Sequence, residues 1–463
     1  MLKREGKLNK KMLGIILTLA WPTMLEQAMH TAVQYVDTAM VGSLGTYATA
    51  AVGATSTVSW LIGSSTAALG IGFLSYIARS LGAGDKDRAT GASAQAVLTV
   101  LVMGTFFTVL CLALSEQIPV WMQVDPSIRS LSARYFFILY APMLPRTAST
   151  VFGMVLRSAG DTKTPMKIGV WVNVINVAMN FLLIYPTRNV AVFGKQVLMP
   201  GAGLGVIGAA LASALAFTVG GIAITVVLWR HPVISPRGRS VAPDSEILLP
   251  CMKVAIPNML QRFGTSLGYV AFASMVNSLG EVATAAHTIA NTVESAFYIP
   301  GYGMQTAAAT LAGNAYGAKD NQRMKDVASM FLPIEVVLMV ISGGSLFAAA
   351  PALMGIFSDS REVIALGTTV LRMVALSEPF YGVSIIVEGL MQGVGKTKLP
   401  FVFNIAGMWG VRIVGTYLFT QLMPYGLVAA WGCMIAHNIL LFFLFSGTYL
   451  LGAWNPLEQK AKR

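Results

Sequence analysis

An aspartate lies inside the first long apolar segment of the chain. The segment runs from Gly14 to Val41, and Asp37 stands near its end, within the stretch TAVQYVDTAMVGSLGTYATAA of residues 31–51. A carboxylate at membrane depth costs roughly 2.5–3.5 kcal/mol on insertion scales, so it is rare there without a partner or a task. We therefore favour a functional role for Asp37, the binding of a proton or a hard monovalent cation, over that of a hydrogen-bonded polar core residue.

Other ionisable side chains also fall in apolar segments. His30 lies two turns before Asp37 on roughly the same helix face and is either a candidate proton relay or a structural histidine. Glu294 is a candidate contact for a cationic substrate or a proton, with structural pairing an equal alternative. Glu378 falls at the same depth as Arg412, which predicts an ion pair between them. The second half contains these groups: Arg262, His287, Glu294, Glu378, Glu388, Arg412 and His437. Of these, His287, Glu294 and Glu378 are the candidates for proton relay or substrate contact.

The composition is typical of a polytopic membrane protein. Of 463 residues, 55% are hydrophobic and 11% are charged, against about 25% charged in soluble domains. We expect an all-α integral membrane protein of the cell membrane, surrounded by lipid, because twelve apolar segments are long enough to span a bilayer. They lie near residues 14–42, 48–77, 91–114, 131–156, 167–185, 204–229, 254–277, 282–313, 327–350, 363–391, 401–422 and 427–450.

The net charge of +12 is explained by membrane topology, so we expect no nucleic-acid partner. With the N-terminus in the cytoplasm, 23 of the 32 Lys and Arg residues fall in cytoplasmic segments. That asymmetry predicts that both termini are cytoplasmic.

The first apolar run continues past signal-peptide length, so we expect no cleavable signal. The three cysteines, Cys111, Cys251 and Cys433, are scattered, which favours packing roles over disulfides or a metal site.

The chain contains an internal duplication. When the sequence is aligned with itself at an offset of 235 residues, Pro22 aligns with Pro257 and Gly160 with Gly395. There are 18 identities over the 67 positions from 22 to 88. This pattern predicts two six-helix bundles as parallel repeats, related by a pseudo-two-fold axis along the membrane normal. The predicted domains are residues 1–229 and 247–463, joined by a cytoplasmic linker at 230–246. Asp37 aligns with Phe272, so the aspartate is not among the residues that the repeats share.

The ordered motifs resemble those of the multidrug and toxic compound extrusion (MATE) family over essentially the whole chain. They are AWPTML, VDTAMVGSLG, SLGAGDKDRA, LRSAGDTKTP, GVIGAALAS, TAAHTIA and GLMQGVGKTK. The resemblance implies two six-helix bundles around a V-shaped central cleft. It also implies an antiporter that exports organic, often cationic, drugs and toxic compounds by alternating access against inward flow of Na⁺ or H⁺.

The resemblance further implies a cation-coupling site in the N-terminal bundle, at Asp37, Asn176, Asn180 and Ser213. Where this chain has Asn180 the family often has an aspartate, and where it has Ser213 a threonine; one acid fewer favours a proton over Na⁺. Residue counts from the helix ends place Asp37, Asn180 and Ser213 within about one helical turn in depth. A second family site, with acids on helices 7 and 10, is not expected, because those positions are Thr265 and Tyr381.

Two other classes of function are considered. A lipid-linked precursor flippase of the same broader superfamily would have extra helices and an arginine-rich cavity, and this chain has neither. A membrane enzyme would need clustered His, Asp or Glu at the membrane surface, whereas the four histidines are dispersed. We expect a monomeric transporter of small organic cations that is not an enzyme and needs no cofactor, since no phosphate-binding loop for ATP is visible.

Overall fold

The computed structural model describes residues 2–122, 124–192 and 195–462. The helices of the first half are α1 (Leu2–Gly42), α2 (Thr46–Gly82), α3 (Lys86–Ala113), α4 (Gln117–Trp121), α5 (Pro126–Tyr140), α6 (Met143–Ser158), α7 (Lys163–Leu183) and α8 (Gly205–Arg230). Those of the second half are α9 (Ser245–Asn277), α10 (Glu281–Gly317), α11 (Asn321–Phe357), α12 (Arg361–Ala375), α13 (Glu378–Gly393), α14 (Lys398–Ile405), α15 (Val414–Tyr417), α16 (Leu427–Leu450) and α17 (Pro456–Lys462). Two π-helical stretches, Ala406–Ile413 and Leu418–Leu422, flank α15.

The prediction of twelve transmembrane helices is confirmed, and each predicted segment is helical. Within the described ranges, eight spans pass a test of length and apolarity, and α12 with α13 form a ninth that is bent by 51°. The other three predicted segments are α5 with α6, α9, and α10. The last of these carries Glu281, His287 and Glu294 along its length, which lowers its hydropathy without shortening it.

Two predicted spans are broken rather than continuous. The first break separates α5 from α6 and contains Pro142, and the second separates α12 from α13, where Pro379 occupies the first turn of α13. Proline removes a main-chain donor and clashes with the preceding turn, so a helix tends to break beside it. Residues 141–142 and 376–377 are equivalent under the 235-residue offset, and the two breaks are therefore a feature of the repeat.

The segment after α7 is a β-hairpin. Strand β1 (Pro186–Val192) pairs antiparallel with β2 (Lys195–Ala202), with an irregularity between Pro186 and Arg188. Pairing satisfies main-chain groups that an irregular loop would leave to solvent. The second repeat has no equivalent hairpin in the described part of the chain, since only Met423–Gly426 separate the last π-helical stretch from α16.

The chain packs as two compact units. One contains Met1–Gln27, Leu74–Asp85 and Leu249–Arg463, and the other contains Ala28–Phe73 and Lys86–Leu248. In the first unit, Ile16, Leu19 and Ala20 of α1 share a buried core with Met304 of α10 and Leu390 of α13. In the second, residues of α1, α2 and α8, together with Ile184 just after α7, form a smaller core that includes Met40. The boundaries 1–229, 230–246 and 247–463 stay predictions.

Candidate functional site

The carboxylate of Asp37 is held by an amide of α7. Asp37 is half-buried on α1, and Asn180 Nδ2 donates a hydrogen bond of 2.6 Å to its Oδ1. Asn180 is 1% exposed, so this bond lies in the packed interior of its unit. The bond therefore ties α1 to α7 at the carboxylate.

One turn earlier on α7, Asn176 contacts Ser213 of α8. The i, i+4 spacing puts Asn176 and Asn180 on one helix face, and Asn180 Nδ2 lies 3.3 Å from Asn176 Oδ1. Asn176 Nδ2 lies 3.0 Å from the Ser213 hydroxyl oxygen. The structure therefore places together all four residues of the predicted coupling site, from α1, α7 and α8. Their role in cation coupling stays a prediction.

The Asn176 amide fits its surroundings better when turned by 180°. In that orientation its nitrogen donates to Asp37 Oδ1 at 2.8 Å and Oδ2 at 3.2 Å, while its oxygen accepts from the Ser213 hydroxyl at 3.0 Å. The choice between the two orientations is made from the hydrogen-bond network. We adopt the turned form, because it gives Asp37 two amide donors and lets the Ser213 hydroxyl donate to the Asn176 oxygen.

The site contains one acid among neutral oxygen-bearing side chains. Asn180 Oδ1 is buried and has no hydrogen-bond partner among the described residues, so an acceptor is open beside the carboxylate. Tyr135 of α5 lies within electrostatic range of Asp37 and was not identified from the sequence. Over the described ranges no group of three or more His, Cys, Asp or Glu could hold a metal ion. The arrangement can accept one proton or a hard monovalent cation.

The proposed relay residues have different environments. His30 is exposed on α1. His287 is buried on α10, where Trp431 Nε1 donates to its Nδ1 at 3.2 Å, and its ring meets those of Phe272 and Trp431 edge-on at 5.5 and 5.9 Å. A neutral imidazole that accepts at Nδ1 carries its proton on Nε2. His287 thus has a structural contact, and its relay role, like that of His30, stays a prediction.

The predicted ion pair between Glu378 and Arg412 is wrong for the described part of the chain. Arg412 instead stacks its guanidinium over the rings of Tyr269 and Phe272, at 4.8 and 4.3 Å from their centroids. Arg412 acts electrostatically on Glu294, which is 6% exposed. Arg412 lies in the π-helical stretch Ala406–Ile413. A π-helix turns through a different angle per residue than an α-helix, so equal depth did not bring the two side chains face to face.

Sequence reasoning also missed one acid. Glu335 of α11 is 0% exposed, and neither carboxyl oxygen has a hydrogen-bond partner among the described residues. The signal that identified Asp37, a lone carboxylate within an apolar segment, was present here too.

Both carboxyl oxygens of Glu388, by contrast, accept hydrogen bonds. Its Oε1 accepts from Gln261 at 2.9 Å and Gln392 at 3.1 Å, and its Oε2 accepts from Asn404 at 3.2 Å.

Comparison with known proteins identifies relatives over nearly the full length. A family model described as MatE matches residues 22–182 and 257–418, two ranges whose starts are separated by the offset of the duplication. The protein named Probable multidrug resistance protein NorM of Thermotoga maritima is 25% identical over 95% of this chain and 92% of its own length. Probable multidrug resistance protein YoeA of Bacillus subtilis is 25% identical over 91% of this chain and 90% of its own. A crystal structure of MATE in complex with MaD3S superposes with a TM-score of 0.88 at 22% identity, covering 96% of each chain.

Proposed function

Because the chain belongs to the MatE family, whose model matches both of its repeats, we propose that this membrane transporter exports organic compounds, chiefly organic cations. Export is driven by inward movement of a cation that binds at Asp37, and the protein works as an antiporter. The names of the two curated relatives, both multidrug resistance proteins, support the substrate class. The hydrogen bond of 2.6 Å between Asn180 and Asp37 carries the assignment of the coupling site.

The proton is the coupling ion that best suits this site. A single carboxylate is neutralised by a single proton, whereas Na⁺ binds more strongly where a second acid contributes charge. The neighbours of Asp37 are amides and a hydroxyl, namely Asn176, Asn180 and Ser213. All of these are neutral, so the charge of the site changes from −1 to 0 on protonation.

The same neighbours can distinguish the two protonation states. Ionised Asp37 accepts from Asn180 Nδ2. Protonated Asp37 is a donor, and Asn180 Oδ1 is a buried acceptor without a partner in the described part of the chain. A turn of the Asn180 amide would exchange one bond for the other. Two states with different contacts are what a coupling ion needs in order to shift a conformational equilibrium.

The test is export from proteoliposomes by wild type and Asp37→Asn. Asparagine has the shape of the protonated acid but cannot titrate. Efflux of ethidium is measured under a pH gradient without Na⁺ and then under a Na⁺ gradient at equal pH. Wild type should respond mainly to the pH gradient, and Asp37→Asn should lose gradient-driven export while still binding ethidium.

The matched control is Thr38→Val. Thr38 is adjacent to Asp37, is exposed, and donates its hydroxyl to the Gln34 carbonyl of its own helix at 2.8 Å, so its loss should leave export unchanged. Wild-type export by Asp37→Asn under both gradients would make Asp37 structural and would overturn the proposal. Export by wild type under the Na⁺ gradient alone would reassign the coupling ion.

A further inference from the structure

A carboxyl group in the second half of the chain is buried without a partner. Glu335 of α11 packs against Gly301 of α10 and Gly382 of α13. A Cβ atom at Gly301 would lie 2.7 Å from Glu335 Oε1, and one at Gly382 would lie 3.1 Å from its Cγ. The two glycines thus leave the room that the acid occupies. An ionised carboxylate without partners is strongly disfavoured in such surroundings, so a group in this position holds a proton instead.

Two further acids extend from Glu335 toward α10. Glu378 at the start of α13 is 2% exposed, and its Oε2 is buried with no hydrogen-bond partner among the described residues. It lies within electrostatic range of both Glu294 and Glu335. Glu378 is therefore the middle member of a series of three carboxyl groups from three helices.

The nearby positive charge is too small for all three acids to ionise together. Arg412 is 3% exposed, acts on Glu294, and has a buried Nε without a partner in the described ranges. Other titratable groups around the series include Tyr298, Tyr302 and His287 on α10, Tyr381 on α13, Tyr269 on α9 and His437 on α16. Neighbouring carboxylates in a low-dielectric site cannot all stay charged. One guanidinium balances one of them, and the rest are neutral only with bound protons.

The outer member of the series borders a cavity. The cavity has about 20 Å³ of free volume, enough for about one water molecule. Its lining residues are Tyr269, Asn291, Glu294, Tyr298, Tyr381, Arg412, Met434 and Asn438. Several of these can hydrogen-bond water, so a proton on Glu294 has a polar acceptor beside it, whereas the Glu335 oxygens have no partner among the described residues.

We propose that Glu335, Glu378 and Glu294 form a second proton-binding centre, which stores a proton at Glu335 and exchanges it through Glu378 and Glu294 with the cavity. The centre belongs to the second repeat alone, since the first repeat has Val100, Met143 and Ser59 at the three equivalent positions. Its use during transport rests on the proposed function, in which it would add to the protons carried per cycle. The binding of protons does not rest on it.

The first test measures the stored proton directly. Full-length protein in lipid nanodiscs is studied by infrared spectroscopy in the region of the protonated-carboxyl C=O stretch. Wild type should show a band that persists in Asp37→Asn and loses part of its intensity, the Glu335 component, in the near-isosteric Glu335→Gln. The control is Glu388→Gln, since the Glu388 carboxylate accepts from three amides and should be ionised. That substitution should leave the band intact. A band unchanged by Glu335→Gln would overturn the proposal.

The second test counts protons without a membrane gradient. Ethidium is added to weakly buffered detergent-solubilised protein, and the released protons are titrated. Asp37→Asn should retain part of the wild-type release, and Asp37→Asn with Glu378→Gln should lose it. Complete loss in Asp37→Asn alone would contradict a second centre. If Glu335→Gln does not fold, Glu378→Gln and Glu294→Gln in both tests decide the question, because each should reduce the release. The infrared readout uses neither ethidium nor transport, so it stays interpretable if the proposed function fails. Absence of proton release in the wild type as well would contradict the proposed function and not the binding of protons.

Discussion

Gly82 of α2 and Gly317 of α10 are equivalent positions of the two repeats, and each lies against the main chain of the other's helix. A Cβ atom at Gly82 would fall 1.9 Å from the Asn314 carbonyl oxygen, and one at Gly317 would fall 1.9 Å from the Arg79 carbonyl oxygen. Arg79 and Asn314 are themselves related by 235 residues. The two helix ends therefore cross with the pseudo-two-fold symmetry of the duplication, and only glycine fits at the crossing.

Alanine at either glycine should destabilise this crossing. Inserting a methyl group into this contact costs about 1–3 kcal/mol, because neither main chain can move far enough to make room for it. Thermal unfolding of the detergent-solubilised protein should occur at lower temperature for Gly82→Ala and Gly317→Ala. Gly63→Ala on α2 is the control, since a Cβ there meets nothing within 4 Å and helix propensity favours alanine by about 1 kcal/mol. Equal melting temperatures for all three variants would contradict the close approach.

The linker should lose local stability at acid pH through His231. Its Nδ1 accepts from the main-chain N–H groups of Val233 at 3.2 Å and Ile234 at 3.3 Å. Burial lowers the pKa of His231 below its usual 6.5, although the charge of Asp161 opposes the shift. The folded linker then binds a proton more weakly than the unfolded one. Its stabilisation is complete above about pH 6.5 and is lost as the pH falls toward the folded-state pKa.

Hydrogen exchange of the Val233 and Ile234 amides measures this effect. Their protection, corrected for the intrinsic exchange rate, should decrease as the pH is lowered. His231→Asn keeps an acceptor near the same place but does not titrate in this range, so its protection should be independent of pH. Protection that rises on acidification in the wild type would contradict the assignment.

Asn180→Asp should move the coupling preference toward Na⁺. The new carboxylate would replace an amide that lies 2.6 Å from Asp37 Oδ1, and two adjacent acids either share a cation or hold a proton between them. Export driven by a Na⁺ gradient should rise relative to export driven by a pH gradient. The charge-swapped variant, Asp37→Asn with Asn180→Asp, is the control. It restores a single acid and should not gain Na⁺ dependence.

Phe272→Asp should not create a working copy of the coupling site. Phe272 is 1% exposed, and the Arg412 guanidinium lies 4.3 Å from its ring centroid, so a carboxylate here would meet an arginine. The positions equivalent to Asn176 and Asn180 are Val411 and Gly415, which offer no side-chain oxygen. Gradient-driven export by Phe272→Asp in an Asp37→Asn background would refute the functional asymmetry of the halves.

Both termini should be inaccessible from outside the cell. Cysteines placed at Lys3 and Lys462, in a protein whose Cys111, Cys251 and Cys433 have been replaced, should not react with a membrane-impermeant thiol reagent on intact cells. Asn189→Cys is the outer control, because residue 189 is an exposed position of the β-hairpin. Labelling at either terminus would reverse the orientation inferred from the basic residues.

Much of the fold follows from sequence because membrane spans and duplication leave strong local signals. Twelve apolar segments and a constant offset predict which parts of the chain are helical, although α1, α9 and α11 begin well before the predicted segments. The grouping of Asp37 with Asn176, Asn180 and Ser213 follows from helix faces, depth and family resemblance together. The environment of Arg412 could not be predicted in this way. A π-helical stretch changes the direction in which side chains point, and a residue count along the chain reports depth rather than direction. The Glu335 carboxyl lies in a space left by Gly301 and Gly382. These glycines belong to other helices, so only the packing of the helices shows that they are its neighbours.

The packing of the first part of α1 sets a condition on synthesis. Ile16, Leu19 and Ala20 belong to the same core as Met304 of α10 and Leu390 of α13. Roughly 285 residues separate them from Met304 and roughly 370 from Leu390, which at ribosomal rates of about 5–20 residues per second means a delay of roughly 15–75 s. During that time the start of α1 is exposed to lipid or to insertion factors rather than to its final neighbours. Nascent chains stalled before α10 should therefore expose this surface to crosslinking, and release of the stall should bury it.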